Sequence, residues 1–438
     1  MSFGVVTPRM RQLSSRKSVV VSVLDVGFSK VVCLIARLTP LEAHETIGGR
    51  THRCKVLGIG HQRSRGVKAG AIVDLDGAEN AIRYAIDAAE RMAGVEVGGV
   101  IVNLTGGRLS SRLYEARTPI GGRAVLAGDV HRVLEAASAA GGSSDRAALH
   151  AIPIGFKLDS TQGVQDPIGM VGKDLRVQLN VATCDAATAR NLMLAIERCH
   201  LKVEAVVATP YASGLSTIDS DEADLGVVLV DFGGGTTSVS VFAGGRLQHV
   251  DAVAVGGHHV TLDVAHGLGI GRTEAERIKT LHGACIVAPS DEREMISIRP
   301  EGEDMDRPVQ ASKSALVGFI RPRVEEILEL VRDRLKTSGH LGHALRRLVV
   351  TGGASQLVGL PDLARTIISP QTRLGRPFGV EGLPESAKSP AFAAAVGLMV
   401  HPQVAGLEHF VPRGGRSWVD PSESGYVAKV GRWLKESF

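Results

Sequence analysis

Apolar residues in this chain gather in short β-branched runs, separated by stretches with helical spacing. Across 18–97 the pattern reads strand, turn, strand, a glycine-rich segment, then a helix. That helix begins near Leu75, with Asp74 or Asp76 at its N-cap, and runs to Met92. From Gly98 to about Val181 the texture changes: 100–104 reads as a strand, 125–140 as a helix and 153–172 as loop. This predicts an inserted small α/β domain over 98–180. A helix over 186–199 and a buried strand over 203–208 follow. Residues 224–255 hold strands that turn first at Gly233, Gly234 and Gly235, and again at Gly244-Gly245. Helices dominate from 260 to 341, at 261–268, 273–281 and 317–336. A buried strand over 348–354 ends in a Gly pair, small residues form a helix over 389–399, and 401–425 reads as a Gly/Pro/Ser linker. Strands interleaved with helices, in two similar series, imply a largely parallel and duplicated α/β core.

Composition narrows the class. A length of 438 residues suggests two to four domains, and 44% hydrophobic with 22% charged residues predicts that most of the chain folds. A net charge of +4 is too small to mark a nucleic-acid footprint, so no nucleic-acid partner is expected. Cys33, Cys54, Cys184, Cys199 and Cys285 show no CxxC spacing and read as reduced core thiols of a cytosolic protein. Arg16-Lys17 precedes an apolar run that Asp25 ends too early for a signal peptide, and no run of about 18 apolar residues predicts a membrane span. Residues 1–17, polar and basic, read as a disordered tail. The acidic stretch 289–308 reads as a solvated loop or edge hairpin in preference to an acidic docking surface.

The chemistry lies in two stretches of one design, Ser22-Val23-Leu24-Asp25-Val26-Gly27-Phe28-Ser29-Lys30 and Leu229-Val230-Asp231-Phe232-Gly233-Gly234-Gly235-Thr236-Thr237. Each ends an apolar strand on Asp and turns through Gly into a second strand. Successive N–H groups at such a turn make a nest for phosphate, and glycine lets the anion come close. Asp25 and Asp231 are placed to hold magnesium, through water, on those phosphates. Lys30 offers a point charge, and Ser29 and Thr236 offer hydroxyls. Taken alone the first hairpin is an ordinary tight turn, whereas three glycines and two threonines after a strand Asp have few purely structural uses. No GxxxxGK[ST] occurs, and the first turn opens a strand and not a helix, which excludes Walker and Rossmann readings. Thr351-Gly352-Gly353-Ala354 reads either as a tight packing turn or as an edge facing base or ribose. Glu276 and Lys279 share a helix face, to grip ribose and adenine or to pair on the surface.

The order of two phosphate hairpins, a Glu-x-x-Lys helix and a GG-A strand end is similar to the actin, Hsp70 and sugar-kinase ATPases. Within them the chain resembles the FtsA family of bacterial division proteins. The resemblance rests on Ser64-Arg65-Gly66 with Gly70 and Asp74, His150-Ala151-Ile152-Pro153, and Asp166-Pro167-Ile168-Gly169-Met170-Val171-Gly172. It rests also on Ile196-Glu197-Arg198-Cys199-His200-Leu201-Lys202-Val203, the second hairpin, the stretch from Thr351 to Gly359, and Arg373-Leu374-Gly375-Arg376-Pro377. It implies an α/β fold with a duplicated actin-like (RNase H-like) ATPase core, an inserted small α/β subdomain and a C-terminal amphipathic helix. Subdomain 1A would comprise 18–97, 181–212 and 382–403, the insert 1C would be 98–180, 2A would be 213–254 with 343–381, and 2B would be 255–342. It further implies ATP with Mg between the halves, a head-to-tail polymer, the FtsZ C-terminal tail at 2B, and later divisome proteins through 1C. Residues Asp25, Gly27, Phe28, Ser29, Lys30, Asp231, Gly233, Gly234, Gly235, Thr236, Thr237, Glu276, Lys279, Gly352, Gly353 and Ala354 are its expected nucleotide contacts.

Two departures from the family pattern stand out. Ala208-Thr209-Pro210-Tyr211-Ala212 carries no Glu or Gln where actin-like polymers position the attacking water, which predicts slow ATP hydrolysis at best. Phe28 stands where the first hairpin usually has a small hydroxyl residue. At the far end, after a linker over 404–424, residues 425–438 place Val427, Val430, Trp433, Leu434 and Phe438 on one helical arc of about 140°, with Lys429, Arg432 and Lys435 opposite. Such a helix suits an anionic membrane interface better than docking on the protein body. The expected function is an ATP-binding division protein that tethers FtsZ filaments at the septum to the cytoplasmic face of the bacterial inner membrane. The alternative is a sugar-kinase-like or pilus-assembly ATPase on the same core.

Overall fold

The computed structural model describes residues 5–10, 13–14, 16–42, 50–299, 309–341 and 347–408. Its two halves repeat one arrangement. In the first, Val19–Val26 pairs antiparallel with Lys30–Pro40, which pairs with His52–Arg63; on its other side Val19–Val26 runs parallel to Gly99–Leu104, itself parallel to Lys202–Ala208. In the second, Val227–Phe232 pairs antiparallel with Thr237–Ala243, which pairs with Arg246–Val253; Val227–Phe232 also runs parallel to Arg347–Thr351, which is parallel to Gln371–Leu374. The same five-strand order therefore occurs twice, with an Asp-ended hairpin near the middle of each sheet. Both inner strands are apolar almost throughout because helices cover both faces of each sheet.

Small residues bring those helices close. Helix Leu75–Ala93 starts at Asp74, whose side chain accepts from the N–H groups of Asp76 and Gly77, and stops at Gly94 in the left-handed region. Its buried face of Ala78, Ala81, Ile82, Ala85, Ile86 and Ala89 lies against His52–Arg63 at Gly60, where a Cβ would stand 1.7 Å from the Ala85 carbonyl oxygen. Helix Thr209–Thr217 and helix Ala393–Val404 touch at Gly397, where a Cβ would lie 1.6 Å from the Ala212 oxygen. The segment 390–407 is long and apolar enough to cross a membrane, contrary to the expectation that no such run exists. It is mostly buried in the protein body.

The insert adds strands Ser110–Ala124, Arg146–Leu158, Thr161–Val164 and Val171–Asp185, covered by helix Ala127–Ala140. A bridge between Ser110 and Asp251 joins it to the second sheet. Several boundaries move. Gly99–Leu104, expected at the head of the insert, completes the first sheet, since its parallel partners are both core strands. The expected loop 153–172 is largely strand, paired with Val171–Asp185 or with Thr161–Val164. The expected disordered tail 1–17 contributes Val5–Val6, parallel to Arg146–Leu158, and a buried Thr7 whose hydroxyl donates to Ala148. The expected linker begins later than 401, because His401 is inside helix Ala393–Val404 and Glu408 is still packed against it. Within 289–308, Met295–Ile298 forms an edge hairpin with Val309–Ser312 and Asp291 is buried beside Lys313; 300–308 lies outside the described residues, as does 409–438 with the amphipathic stretch. Burial pushes the thiols of Cys33, Cys54, Cys184 and Cys285 up to about 12, so they behave as small core hydrophobes.

Candidate nucleotide site between the two halves

The two hairpins face each other across a cavity of about 170 Å³. Asp25, Gly27, Phe28, Ser29 and Lys30 line it from the first half, and Asp231, Gly233, Gly234, Gly235 and Thr236 from the second; Gly352 and Gly353 close one side. Each Asp ends a buried strand, and the N-terminus of helix Gly257–Leu268 organises the second loop. Gly257 N–H donates to the Gly233 carbonyl at 2.9 Å and His258 N–H to the Gly234 carbonyl at 2.7 Å. Those carbonyls thereby turn out of the cavity. Among the described residues, no protein acceptor meets the N–H groups of Gly234 and Gly235. That is the geometry of an anion nest.

Asp25 and Asp231 are both buried. Burial pushes Asp25 up to about 6, against the pull of Lys30 and of Asn103, whose amide donates to Asp25 at 2.6 Å. Asp231 is also pushed up to about 6, by burial and by the Asp25 charge, while the Ser213 hydroxyl and Lys30 oppose the shift. Burial lowers Lys30, and both aspartates counter that; its ammonium sits 3.5 Å from the Phe392 ring centroid. Two desolvated carboxylates beside one cation leave the site short of positive charge. The Ser238 hydroxyl, which lines the same cavity, is buried with no partner. These features fit a magnesium-bound polyphosphate: Asp25 and Asp231 would hold the ion, the glycine N–H groups the phosphate oxygens, and the ion would supply the charge that the aspartates lack.

Phe28 crosses the gap between the halves. Its ring lies against Gly234 and Gly235, where added Cβ atoms would stand 3.1 and 2.9 Å from it, and it contacts His258 at a centroid distance of 4.8 Å. Gly352, at φ +89°, is required where it stands, since a Cβ would be 2.3 Å from Asp231 Oδ1.

Four expected contacts fall elsewhere. The Thr237 hydroxyl donates to the Val255 carbonyl at 2.8 Å because strand alternation turns it away from its neighbour Thr236. Ala354 packs on Gly257. Lys279 is buried and donates to the Gly257 carbonyl, Thr261 and Glu276 at 3.0, 2.8 and 2.8 Å, so the Glu276–Lys279 pair braces the helix behind the second loop. Glu276, despite partial burial that raises it, is held low by Lys279 and Thr261. Conversely, Asn103, Thr105, Pro390 and Ala391 line the cavity unforeseen, and Thr209 lines it from the stretch expected to face an attacking water. Asn103 carried a signal: a lone amide in the apolar run of Gly99–Leu104. It donates to Asp25 and Thr209 and accepts from Val26 N–H at 2.7 Å, so its amide is fully engaged.

Comparison with known proteins places this geometry. A family profile described as "Cell division protein FtsA" matches residues 228–397, and one described as "SHS2 domain inserted in FTSA" matches 106–183. The cell division protein FtsA of Agrobacterium fabrum is 51% identical over 437 residues, covering 100% of this chain and 98% of that protein. The chain belongs to the FtsA family. FtsA of Pseudomonas aeruginosa, at 32% identity over 95% of this chain and 97% of its own length, and FtsA of Escherichia coli K12, at 30% over the same shares, agree. Two solved structures bear on the fold alone. The PilM–PilN type IV pilus biogenesis complex aligns with a TM-score of 0.60 at 15% identity, over 87% of this chain and 98% of that chain. MreB5 of Spiroplasma citri bound to ADP aligns at 0.51 and 14%, over 89% and 97%. The duplicated hairpin core is therefore an actin-like ATPase fold carrying the FtsA-type insert, and nucleotide binding is what that fold implies. The chain is a cell-division protein of the FtsA family, and the kinase and pilus alternatives are not favoured.

Proposed function

We propose that this chain is an ATP- and Mg-binding adaptor of cell division that polymerises head to tail and tethers FtsZ filaments to the anionic cytoplasmic face of the inner membrane at the septum. In this reading the FtsZ C-terminal tail docks on 255–342, later divisome proteins engage the insert, and residues 425–438 enter the lipid interface. The cleft holds ATP more than it consumes it. One observation supports this view: the nest and the two carboxylates suit a magnesium-bound polyphosphate, yet the stretch 208–212, where a water-aiming group is expected, carries no carboxylate or amide. Thr209 occupies the expected position as a hydroxyl tied to Thr105 and Asn103, and the Asn103 amide is fully engaged. Helix-borne Lys279 and Glu276 support the second loop from behind and do not line the cavity.

Each apolar side chain of 425–438 gains about 1.5–3 kcal/mol at most on burial, offset by ordering of the peptide. Single tails therefore hold weakly, and a polymer that presents many binds by avidity. The test combines two measurements on the full chain. Flotation with anionic vesicles should be lost on truncation after Gly425, and an FtsZ C-terminal peptide should capture the full chain with Mg-ATP present. Equal flotation of the truncated chain, or no capture, would overturn the adaptor reading.

A further inference from the structure

Glu408, the last described residue before the C-terminal stretch, has a side chain only 9% exposed, set between two histidines from different parts of the chain. Its Oε1 lies 2.9 Å from Nδ1 of His150, on the insert strand Arg146–Leu158, and 3.0 Å from Nε2 of His401, on helix Ala393–Val404. Both imidazoles are buried. On its far side, His150 Nε2 accepts from the Ala208 N–H at 2.9 Å. That bond assigns the tautomer. The single proton of His150 must sit on Nδ1, pointed at Glu408. A metal ion at Nδ1 would need that lone pair free, so this His-His-Glu cluster works as a hydrogen-bonded clasp and not as a metal site. Burial raises Glu408, and the two histidines overcome it and hold the carboxyl well below its ordinary range. Arg9 from the N-terminal segment feels the same carboxylate, and the Tyr211 ring stands edge-on to His150 at 5.0 Å.

Glu408 thus grips both helices that wall the cavity. Through His150 it reaches Ala208, the N-cap of helix Thr209–Thr217. The next residue, Thr209, is tied to Asn103 and through it to Asp25, and Ser213, one turn further on, donates to Asp231. Through His401 it holds helix Ala393–Val404, whose approach supplies Pro390, Ala391 and Ala394 to the cavity wall and Phe392 beneath Lys30. Neither histidine nor Glu408 lines the cavity.

We propose that His150, His401 and Glu408 form a positioning clasp that couples the seating of the segment ending at residue 408, and of the insert, to nucleotide binding in the cleft. The inference rests on the nucleotide reading above. Linkage makes the coupling reciprocal: whatever the seated clasp adds to nucleotide affinity, bound nucleotide adds to seating of the segment.

Affinity for a fluorescent Mg-ATP analogue and hydrogen exchange of amides 393–408, with and without Mg-ATP, test it in the full-length chain. Wild type should gain protection at 393–408 on binding. Glu408→Gln should lose that gain and bind about five-fold or more weakly, the lower end of ordinary coupling. His150→Leu should behave alike, whereas His150→Gln, whose amide oxygen can still accept from Ala208 N–H, should retain most of the affinity. A purely structural role predicts lower stability with the nucleotide-dependent gain intact, and that result would overturn the clasp. If Glu408→Gln does not fold, the His150→Leu and His150→Gln pair makes the comparison, and equal behaviour of the two overturns it. A wild-type chain that binds no Mg-ATP fails the underlying reading instead, and the coupling falls with it.

Discussion

Replacing Asp231 by Asn should stabilise the nucleotide-free chain while abolishing its response to Mg-ATP. Asp231 is buried, and burial together with the Asp25 charge pushes it from 3.8 up to about 6. A shift of that size costs the ionised folded state about 3 kcal/mol. The Asn amide keeps an acceptor for the Ser213 hydroxyl but gains an unpartnered NH2, which takes back about 1–2 kcal/mol, so the net gain is about 1–2 kcal/mol. The pH dependence follows in sign. Between pH 4 and 6 the folded wild type binds more protons at Asp231 than the unfolded chain does, so wild-type stability falls as pH rises through that window and levels above it. The advantage of Asn should therefore be absent near pH 4 and full by pH 7.5. Denaturant unfolding in EDTA at pH 4.5, 6 and 7.5 measures this, and repetition with Mg-ATP measures the ligand-linked gain. A variant less stable than wild type at pH 7.5 in EDTA, or one with the same gain from Mg-ATP, would refute the assignment of Asp231 as a desolvated cation holder.

Phe28→Ala should raise the association rate and affinity of Mg-ATP, by about five-fold if withdrawal of the ring from the Gly234–Gly235 surface costs about 1 kcal/mol; weaker binding in a stopped-flow titration would mean that the ring belongs to the bound state. Gly397→Ala should destabilise the chain by about 3 kcal/mol or more, because the added carbon meets the Ala212 backbone oxygen and not a flexible side chain. A loss below 0.5 kcal/mol on the order of experimental error would show that the two central helices can separate freely.

Local backbone features were the most legible part of the site. Gly27 through Lys30 and Gly233 through Thr236 line one cavity as expected, because a glycine turn after a strand Asp specifies its own N–H geometry within a few residues. Of the two threonines expected there only Thr236 lines the cavity: alternation along a strand sends neighbours to opposite faces, so Thr237 serves Val255. Glu276 and Lys279 share a helix face as their spacing implies, but spacing does not say what that face meets, and it meets Gly257 and Thr261. Gly99–Leu104 reads as a strand from its residues, but its membership of the first sheet is not legible there, since a parallel strand carries no mark of its partners.

The duplicated hairpin design and most of the elements around it are written in the order of residues. These are properties of local periodicity and of short motifs, and they survive without knowledge of long-range contacts. Which groups meet is settled by the folded chain. Asn103 reaches Asp25 across two parallel strands, Ser213 reaches Asp231 from a helix, and Glu408 joins His401, seven residues before it, to His150, 258 positions away. A buried polar group must find a partner wherever the fold brings one, and that choice is made by packing and not by the order of residues.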